Sequence, residues 1–133
     1  MQAKVKMKKV WIVDDDEEMA RAIKLMLQLI DCDTTGFFNA RSATQALLAG
    51  NQPDLLILDI NMPEVTGLDM LEFLRRRVEW KNLPVIMLST EAADVTVDKA
   101  MKLGADGYVT KPVTIEEMER AMNIAFQKHQ KGS

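Results

Sequence analysis

The chain has 133 residues, of which 47% are hydrophobic and 28% are charged. This length holds one domain with a sizeable core and leaves no room for a second domain of ordinary size. Its 17 basic and 20 acidic side chains give a net charge of -3, which argues against a nucleic-acid-binding surface. The apolar runs are too short to cross a bilayer, and the single cysteine, Cys32, excludes an internal disulfide, so we expect a cytoplasmic protein.

Five short apolar runs alternate with amphipathic segments along the chain. Three of the runs are almost wholly apolar, as in strands that are buried on both faces of a parallel sheet. The predicted strands are 10–13, 34–38, 55–59, 85–89 and 107–110. The pattern assigns 1–7 to a basic lead-in, 8–128 to one domain and 129–133 to a disordered tail or a vector-derived scar.

Apolar residues spaced three and four apart predict a helix after each strand. The second of these helices, over 42–48, is the shortest, and the stripe of the third extends to Val78. Asp16, Ser42 and Thr114 are placed to cap helices. Five strand–helix units with short connections predict an α/β fold, a doubly wound parallel sheet with helices on both faces. Ligands of such sheets bind where the strands end, near the switch in strand order.

Acidic, hydroxyl and basic side chains follow the predicted strands at their carboxyl ends. In chain order they are Asp14, Asp15, Asp16, Asp59, Ser89, Thr90 and Lys111. Because carboxylates about 4 Å apart repel by roughly 4 kcal/mol at an effective dielectric near 20, such a cluster favours a bound cation. Oxygen ligands with open positions suit Mg2+, and an aspartate can act as a phosphoryl acceptor. These residues therefore predict metal-assisted phosphoryl transfer to a carboxylate.

Five segments together carry a resemblance to a known family. They are Val10–Asp16, Leu58–Pro63, Gly67, Ile86–Ser89 and Gly104–Pro112. In this order and spacing, over about residues 8 to 128, the chain resembles the receiver domain of two-component response regulators, in particular the single-domain chemotaxis receivers. The resemblance implies a flavodoxin-like (βα)5 sandwich whose parallel sheet has the strand order 2-1-3-4-5.

The resemblance also implies a role for each matching residue. Asp59 is the expected phosphoacceptor, and Lys111 is expected to pair with the phosphoryl group. The peptide bond between Lys111 and Pro112 is expected to be cis. Ser89 is the expected switch hydroxyl and Tyr108 the aromatic switch residue. The expected ligands of Mg2+ are the side chains of Asp14, Asp15 and Asp59 and the backbone carbonyl of Asn61.

Partners follow from the same resemblance. The phosphodonor is expected to be a phosphohistidine of a sensor histidine kinase or a histidine phosphotransfer protein, and the output an unknown downstream protein. Ala121 stands where receivers that dimerise ahead of output domains carry a basic residue, so we expect a monomer or a weak phosphorylation-dependent dimer. We expect no direct binding to nucleic acid or membrane, and no enzymatic activity beyond the chain's own phosphorylation and dephosphorylation.

Residues beside the acceptor are expected to set access and signal lifetime. Thr90 is larger than the Ala or Gly that the family usually has after the switch hydroxyl, so we expect it to narrow access to Asp59. Asn61 and Glu91 each lie two residues after a site residue, where polar groups can orient an attacking water. We therefore predict a short-lived phosphoryl group.

Other interpretations of the same residues stay open at this point. Ser89 can be a hydroxyl that bonds only to local backbone, and Tyr108 can be a core residue. Asp14 and Asp16 can be the acid pair of a phosphohydrolase of the haloacid dehalogenase type, although that interpretation leaves Asp59 without a role. A receiver that binds partners without phosphorylation is the third alternative, and Thr90 is the feature in its favour.

Overall fold

The computed structural model describes residues 8–130, in which five strands and five helices alternate. The predicted lead-in at 1–7 lies outside the described residues. The elements are β1 (Lys8–Val13), α1 (Glu17–Gln28), β2 (Cys32–Phe37), α2 (Ala40–Leu48), β3 (Leu55–Asp59), α3 (Gly67–Arg76), β4 (Val85–Ser89), α4 (Asp94–Leu103), β5 (Gly107–Thr110) and α5 (Ile115–Gln130).

All neighbouring strands pair in parallel, in the order β2-β1-β3-β4-β5. Apolar side chains of α1 and α5 pack on one face of the sheet, and those of α2, α3 and α4 pack on the other. Every residue of β3 and β4 is buried between these layers, which explains their unbroken apolar runs. The predicted flavodoxin-like fold and strand order are confirmed.

The first two strands begin earlier than predicted. β1 starts at Lys8 and β2 at Cys32, because the backbone ladder between them already pairs these two residues. β2 is an edge strand with several exposed side chains, so apolar residues indicate only part of the segment whose backbone is paired in the sheet. The three remaining strands have the predicted bounds.

Two of the three predicted helix caps are confirmed. Asp16 and Thr114 each accept a hydrogen bond from the backbone three residues further on, at the starts of α1 and α5. The prediction for α2 was wrong, because Asn39 is the cap and its side-chain oxygen accepts a hydrogen bond from the Ser42 N–H at 2.7 Å. The helix consequently begins at Ala40 rather than at residue 42.

Val78 does not belong to the apolar stripe of α3. The helix ends at Arg76, the next residue is extended, and Val78 is 76% exposed. Trp80 instead fills the buried position beyond the helix, at 4% exposure. The three- and four-residue spacing of apolar side chains therefore extended the predicted helix beyond its actual end.

The end of α5 also differs from the prediction. The helix continues through Gln130, so residues 129 and 130 are helical rather than disordered, while 131–133 lie outside the described residues. His129 Nε2 lies 2.9 Å from Asp106 Oδ1 but makes no hydrogen bond within the described residues. Within residues 8–130, no helix is long and apolar enough to span a membrane.

A buried ion pair closes the amino edge of the sheet, where the strands begin. Asp106 is 6% exposed, and its Oδ2 accepts hydrogen bonds from Arg75 Nη2 at 3.1 Å and from the Val85 N–H at 2.9 Å. The Arg75 guanidinium also donates to the carbonyls of Gly104 and Trp80. We call Arg75, Asp106, Lys128 and His129 the amino-edge cluster.

Candidate functional site

The predicted site residues meet at the opposite, carboxyl edge of the sheet. Asp14 follows β1, Asp59 ends β3 and Ser89 ends β4, while Lys111 follows β5. Because the four strands are parallel neighbours, their ends lie side by side, and the register pairs Ser89 with Thr110. The Lys111–Pro112 peptide bond, which follows β5, is cis, as the resemblance implied.

Three carboxylates converge at this edge. Ligand oxygens of Asp14, Asp15 and Asp59 all lie within 4.8 Å of one another. Asp14 and Asp59 are buried, at 0% and 3% exposure, whereas Asp15 is exposed. Asp14 Oδ2 is buried, and its partner in the described part of the chain is the ammonium of Lys111 at 3.3 Å. Two buried carboxylates beside a third, exposed one repel one another, and their oxygens fit a hard divalent cation.

Lys111 supplies a positive charge next to these carboxylates. Lys111 Nζ lies 3.3 Å from Asp14 Oδ2 and 3.4 Å from Asp59 Oδ1, so it bridges the two buried groups. Burial alone lowers the pKa of Lys111, but the attraction of Asp59 and Asp14 outweighs that effect and raises it. The lysine is thus held in its charged form.

The electrostatic balance leaves Asp59 hard to ionise. Burial and then repulsion from Asp14 raise its pKa from 3.8 to about 6, although Lys111 and the Asn61 N–H act in the opposite direction. One lysine therefore does not neutralise the group of carboxylates. A perturbed carboxyl of this kind in an acidic cluster is typical of functional sites.

Backbone geometry fixes the orientation of both buried carboxylates. Asp14 Oδ1 accepts a hydrogen bond from the Asp16 N–H at 3.0 Å, and Asp59 Oδ1 accepts one from the Asn61 N–H at 3.4 Å. At Gly67, the start of α3, a Cβ would overlap the main-chain oxygen of Asp59. The absence of a side chain at Gly67 therefore lets α3 pack directly against the end of β3.

The predicted switch residues are linked through Glu91. Ser89 is fully buried, and its Oγ accepts hydrogen bonds from the Glu91 N–H at 3.0 Å and from Asn61 Nδ2 at 3.4 Å. Tyr108 donates its hydroxyl to the Glu91 carbonyl at 2.6 Å. In this structure Ser89 makes the local backbone contact that the sequence left open, and Tyr108 is half-buried and packs against the core.

The remaining predicted residues surround the site. Asp16 is exposed and caps α1 instead of joining the three carboxylates. Thr90 is exposed beside Ser89. The Asn61 amide contacts Ser89, and Glu91 Oε1 accepts a hydrogen bond from Thr96 Oγ1 at 3.2 Å. Neither predicted lifetime residue is therefore free of other partners.

Sequence reasoning missed Thr96 altogether and gave Gly67 no specific task. Thr96 lies in the first turn of α4, five residues after Glu91, and a threonine there gives no signal of a side-chain contact. Gly67 was quoted only as part of the resemblance. Its close approach to Asp59 depends on the packing of α3 on β3, which the sequence does not display.

Comparison with known proteins decides the family. The model of the response regulator receiver domain matches residues 10–123, which is most of the chain. The chain belongs to the response regulator receiver domain family. Its acidic pocket is consistent with a phosphoacceptor aspartate and with Mg2+ binding, as expected for a receiver of two-component signalling.

Individual relatives agree with this family. The receiver is 36% identical over 122 residues to the chemotaxis protein CheY of Pseudomonas aeruginosa, covering 90% of this chain and 97% of that protein. It is 33% identical over 125 residues to the KDP operon transcriptional regulatory protein KdpE of Escherichia coli, covering 92% of this chain and 53% of that protein. The receiver domain of the Francisella response regulator 1452 superposes with a TM-score of 0.81 at 32% identity, covering 91% of this chain and 98% of that one.

Proposed function

We propose that Asp59 is the phosphoacceptor of this receiver and that it takes its phosphoryl group from a phosphohistidine of a sensor histidine kinase or a histidine phosphotransfer protein. The observation that carries the proposal is the buried Asp59 carboxylate, held 3.4 Å from Lys111 Nζ beside Asp14 and Asp15. Receivers of the CheY-like regulators are phosphorylated by histidine kinases, which supports this class of donor.

In the proposed reaction, an ionised oxygen of Asp59 attacks phosphorus in line with the bond to the histidine nitrogen. That N–P bond breaks as the O–P bond forms, and the departing ring nitrogen takes up a proton from solvent. Lys111 faces the negative charge of the transferred group and stays protonated throughout, since its pKa is raised. With a pKa of about 6, Asp59 is ionised near pH 7.5 and can act as the nucleophile.

The donor set at this edge fits Mg2+. Asp14, Asp15 and Asp59 would hold the ion through carboxylate oxygens, and Asn61 would add its backbone carbonyl. When bound, Mg2+ supplies positive charge to the phosphoryl oxygens. Support for this assignment comes from the close approach of the three carboxylates and from their incomplete neutralisation by Lys111, which leaves the pKa of Asp59 raised.

Switching follows from the contacts of Ser89. When the Ser89 hydroxyl donates to a phosphoryl oxygen, its Oγ turns away from the Glu91 N–H. Because Tyr108 donates to the carbonyl of the same Glu91, a shift of the Glu91 main chain changes the position of the aromatic ring. We propose that this movement alters the surface formed by α4, β5 and α5, which an unidentified downstream protein reads.

Three further assignments belong to the same proposal. Thr90 narrows access to Asp59 from solvent, since it is exposed beside Ser89. Asn61 and Glu91 tune the lifetime of the phosphoryl group. The domain acts as a signalling module whose chemistry is limited to its own phosphorylation and dephosphorylation. The predicted cytoplasmic location, the predicted monomer or weak dimer, and the predicted lack of nucleic-acid and membrane binding stay predictions.

Intact mass spectrometry tests the assignment of Asp59. The protein is incubated with acetyl phosphate in the presence of Mg2+ or of a chelator. We expect wild type to gain one phosphoryl group only with Mg2+, and Asp59→Asn to gain none. Asp16→Asn is the matched control, because it removes a nearby charge while asparagine still caps α1; it should gain the group like wild type.

The outcomes separate the alternatives. An adduct on Asp59→Asn would move the phosphoacceptor to another residue and contradict the proposal. Steady phosphate release without an adduct, lost in Asp16→Asn, would favour a phosphohydrolase. No adduct and no phosphate release, for acetyl phosphate and for a phosphohistidine donor alike, would favour a receiver that works without phosphorylation.

A further inference from the structure

The Glu91 main chain is fixed to the site at both of its polar groups. Its N–H donates to Ser89 Oγ at 3.0 Å, and its carbonyl accepts from the Tyr108 hydroxyl at 2.6 Å. Ser89 Oγ in turn contacts Asn61 Nδ2, and the Asn61 N–H contacts Asp59 Oδ1. A chain of three hydrogen bonds thus links the Glu91 main chain to the Asp59 carboxylate.

The side chain of Glu91 is turned the other way in this structure. Thr96 Oγ1 donates to Glu91 Oε1 at 3.2 Å and so directs the carboxylate toward the first turn of α4. The backbone of Thr96 is itself held, since its N–H donates to the Ala93 carbonyl. A helical threonine hydroxyl commonly bonds to the carbonyl of the preceding turn. At Thr96 it reaches a side chain of the β4–α4 loop instead.

The first turn of α4 has no side-chain cap. The N-cap position of α4 is Ala93, which offers no side-chain hydrogen bond to the helix. The first turn of α4 is therefore tied to the loop by the Thr96–Glu91 hydrogen bond. Because Glu91 is exposed, this single bond decides between one favoured orientation and a wide choice of rotamers for its carboxylate.

We propose that Thr96 is a positioning residue that holds the Glu91 carboxylate away from the phosphoacceptor and so prolongs the life of the phosphoryl group. The inference rests on the proposed role of Asp59. Released from Thr96, the carboxylate can accept a hydrogen bond from a water opposite the Asp59–phosphorus bond and orient it for attack. Thr96 touches neither the phosphoryl group nor the water and acts through Glu91.

The hydrolysis step balances without a further reactant. Water oxygen bonds to phosphorus while the bond from phosphorus to the Asp59 oxygen breaks. The bonding pair leaves with Asp59, which becomes a carboxylate again. Both protons of the water stay with the product, dihydrogen phosphate. Glu91 orients the water through a hydrogen bond and ends the step unchanged.

The decay of the phosphorylated protein tests this inference. After phosphorylation with acetyl phosphate and Mg2+, the donor is removed and the adduct is followed by intact mass. We expect Thr96→Val to decay about fivefold faster than wild type, the factor that loss of one ordinary hydrogen bond implies. Thr96→Ser retains the hydroxyl and should decay like wild type. Thr44→Val makes the same change in α2, away from the loop, and is the matched control.

Two further measurements distinguish positioning from a general structural effect. In a Glu91→Ala background, Thr96→Val should leave the decay rate unchanged, because no carboxylate remains to be released. The chain has one tyrosine, so 3-fluorotyrosine gives a single 19F signal from Tyr108. That signal should be the same in Thr96→Val as in wild type if the loop backbone keeps its place.

Several results would overturn the inference. A Thr96→Val adduct that decays at the wild-type rate, or equally fast with and without Glu91, would show that Thr96 does not act through this carboxylate. A displaced Tyr108 signal would assign the effect to a rearranged loop. Failure of wild type to gain any phosphoryl group is a separate outcome, which contradicts the proposed function and this inference with it.

Discussion

The two edges of the sheet each bury an aspartate next to a basic side chain, yet only one edge has the properties of a functional site. At the amino edge, Asp106 receives hydrogen bonds from the Arg75 guanidinium and the Val85 N–H, and His129 lies 2.9 Å away. At the carboxyl edge, two buried carboxylates share Lys111, and a third lies within 4.8 Å of them.

The difference lies in how completely each carboxylate is satisfied. Arg75 matches Asp106 and also binds two backbone carbonyls, so the pair joins α3 to the loops before β4 and β5. At the carboxyl edge, one lysine is shared by the two buried carboxylates of Asp14 and Asp59, and the pKa of Asp59 is raised. Removing one partner of a buried ion pair destabilises a fold, whereas buried carboxylates that outnumber their cationic partners favour a ligand of opposite sign.

The largest expected effect breaks the amino-edge cluster. Arg75→Met leaves the buried Asp106 without its main partner, so we expect the free energy of unfolding to fall by about 4 kcal/mol. Urea denaturation measures this loss. Arg76→Met is the control, because Arg76 pairs with Glu72 on the surface and should matter by less than about 0.5 kcal/mol. If the free energy of unfolding of Arg75→Met fell no more than that of Arg76→Met, the amino-edge cluster would not be needed for stability.

A smaller loss of stability is expected when the close packing of α3 against the end of β3 is disturbed. Gly67→Ala forces a Cβ into the main-chain oxygen of Asp59, so α3 or β3 has to shift. We expect the free energy of unfolding to fall by about 2–3 kcal/mol and phosphorylation by acetyl phosphate to slow. Gly36→Ala places the same group where no atom lies within 4 Å and should change neither quantity. Equal behaviour of the two variants would contradict the close approach.

The next prediction has the opposite sign and depends on pH. Asp59 has its pKa raised from 3.8 to about 6 in the folded chain, so the folded state binds its proton more tightly than the unfolded state does. In chelator, wild type should therefore lose stability relative to Asp59→Asn as pH rises from about 4 to about 6, by about 2 kcal/mol. Below pH 4 this loss is absent, and above about pH 7 it is complete.

Urea titrations of both proteins at several pH values measure this difference. A constant gap between wild type and Asp59→Asn from pH 4 to pH 7.5 would contradict the raised pKa.

The smallest expected effect concerns Asp16, an acidic residue of the carboxyl edge that caps α1 and takes no part in the proposed chemistry. Asp16→Ala removes the cap of α1, so we expect a loss of about 1 kcal/mol in stability. Its rate of phosphorylation by acetyl phosphate should stay within about twofold of wild type, since a capping contact is local to the helix. A loss of phosphorylation comparable to that of Asp59→Asn would place Asp16 in the chemistry.

The sequence predicted the carboxyl edge far better than the amino edge. Strands β3, β4 and β5 are bounded by abrupt changes from apolar to polar residues, so the positions of Asp59, Ser89 and Lys111 followed from the pattern. Arg75 and Asp106 are 31 residues apart, and nothing local to either residue indicates the other. Helix-start details such as Asn39 were missed because several polar residues there can serve as a cap.

We propose that the carboxyl edge, where carboxylates outnumber cationic side chains, binds a divalent cation and that the amino edge does not. Calorimetric titration with Mg2+ at pH 7.5 tests it directly on wild type and on Asp15→Asn, whose exposed side chain can change without disturbing the core. The account predicts one Mg2+ per chain in wild type and an affinity at least about tenfold lower in Asp15→Asn, since a carboxylate ligand is lost. Equal affinity in both proteins, or no binding to wild type, would contradict it.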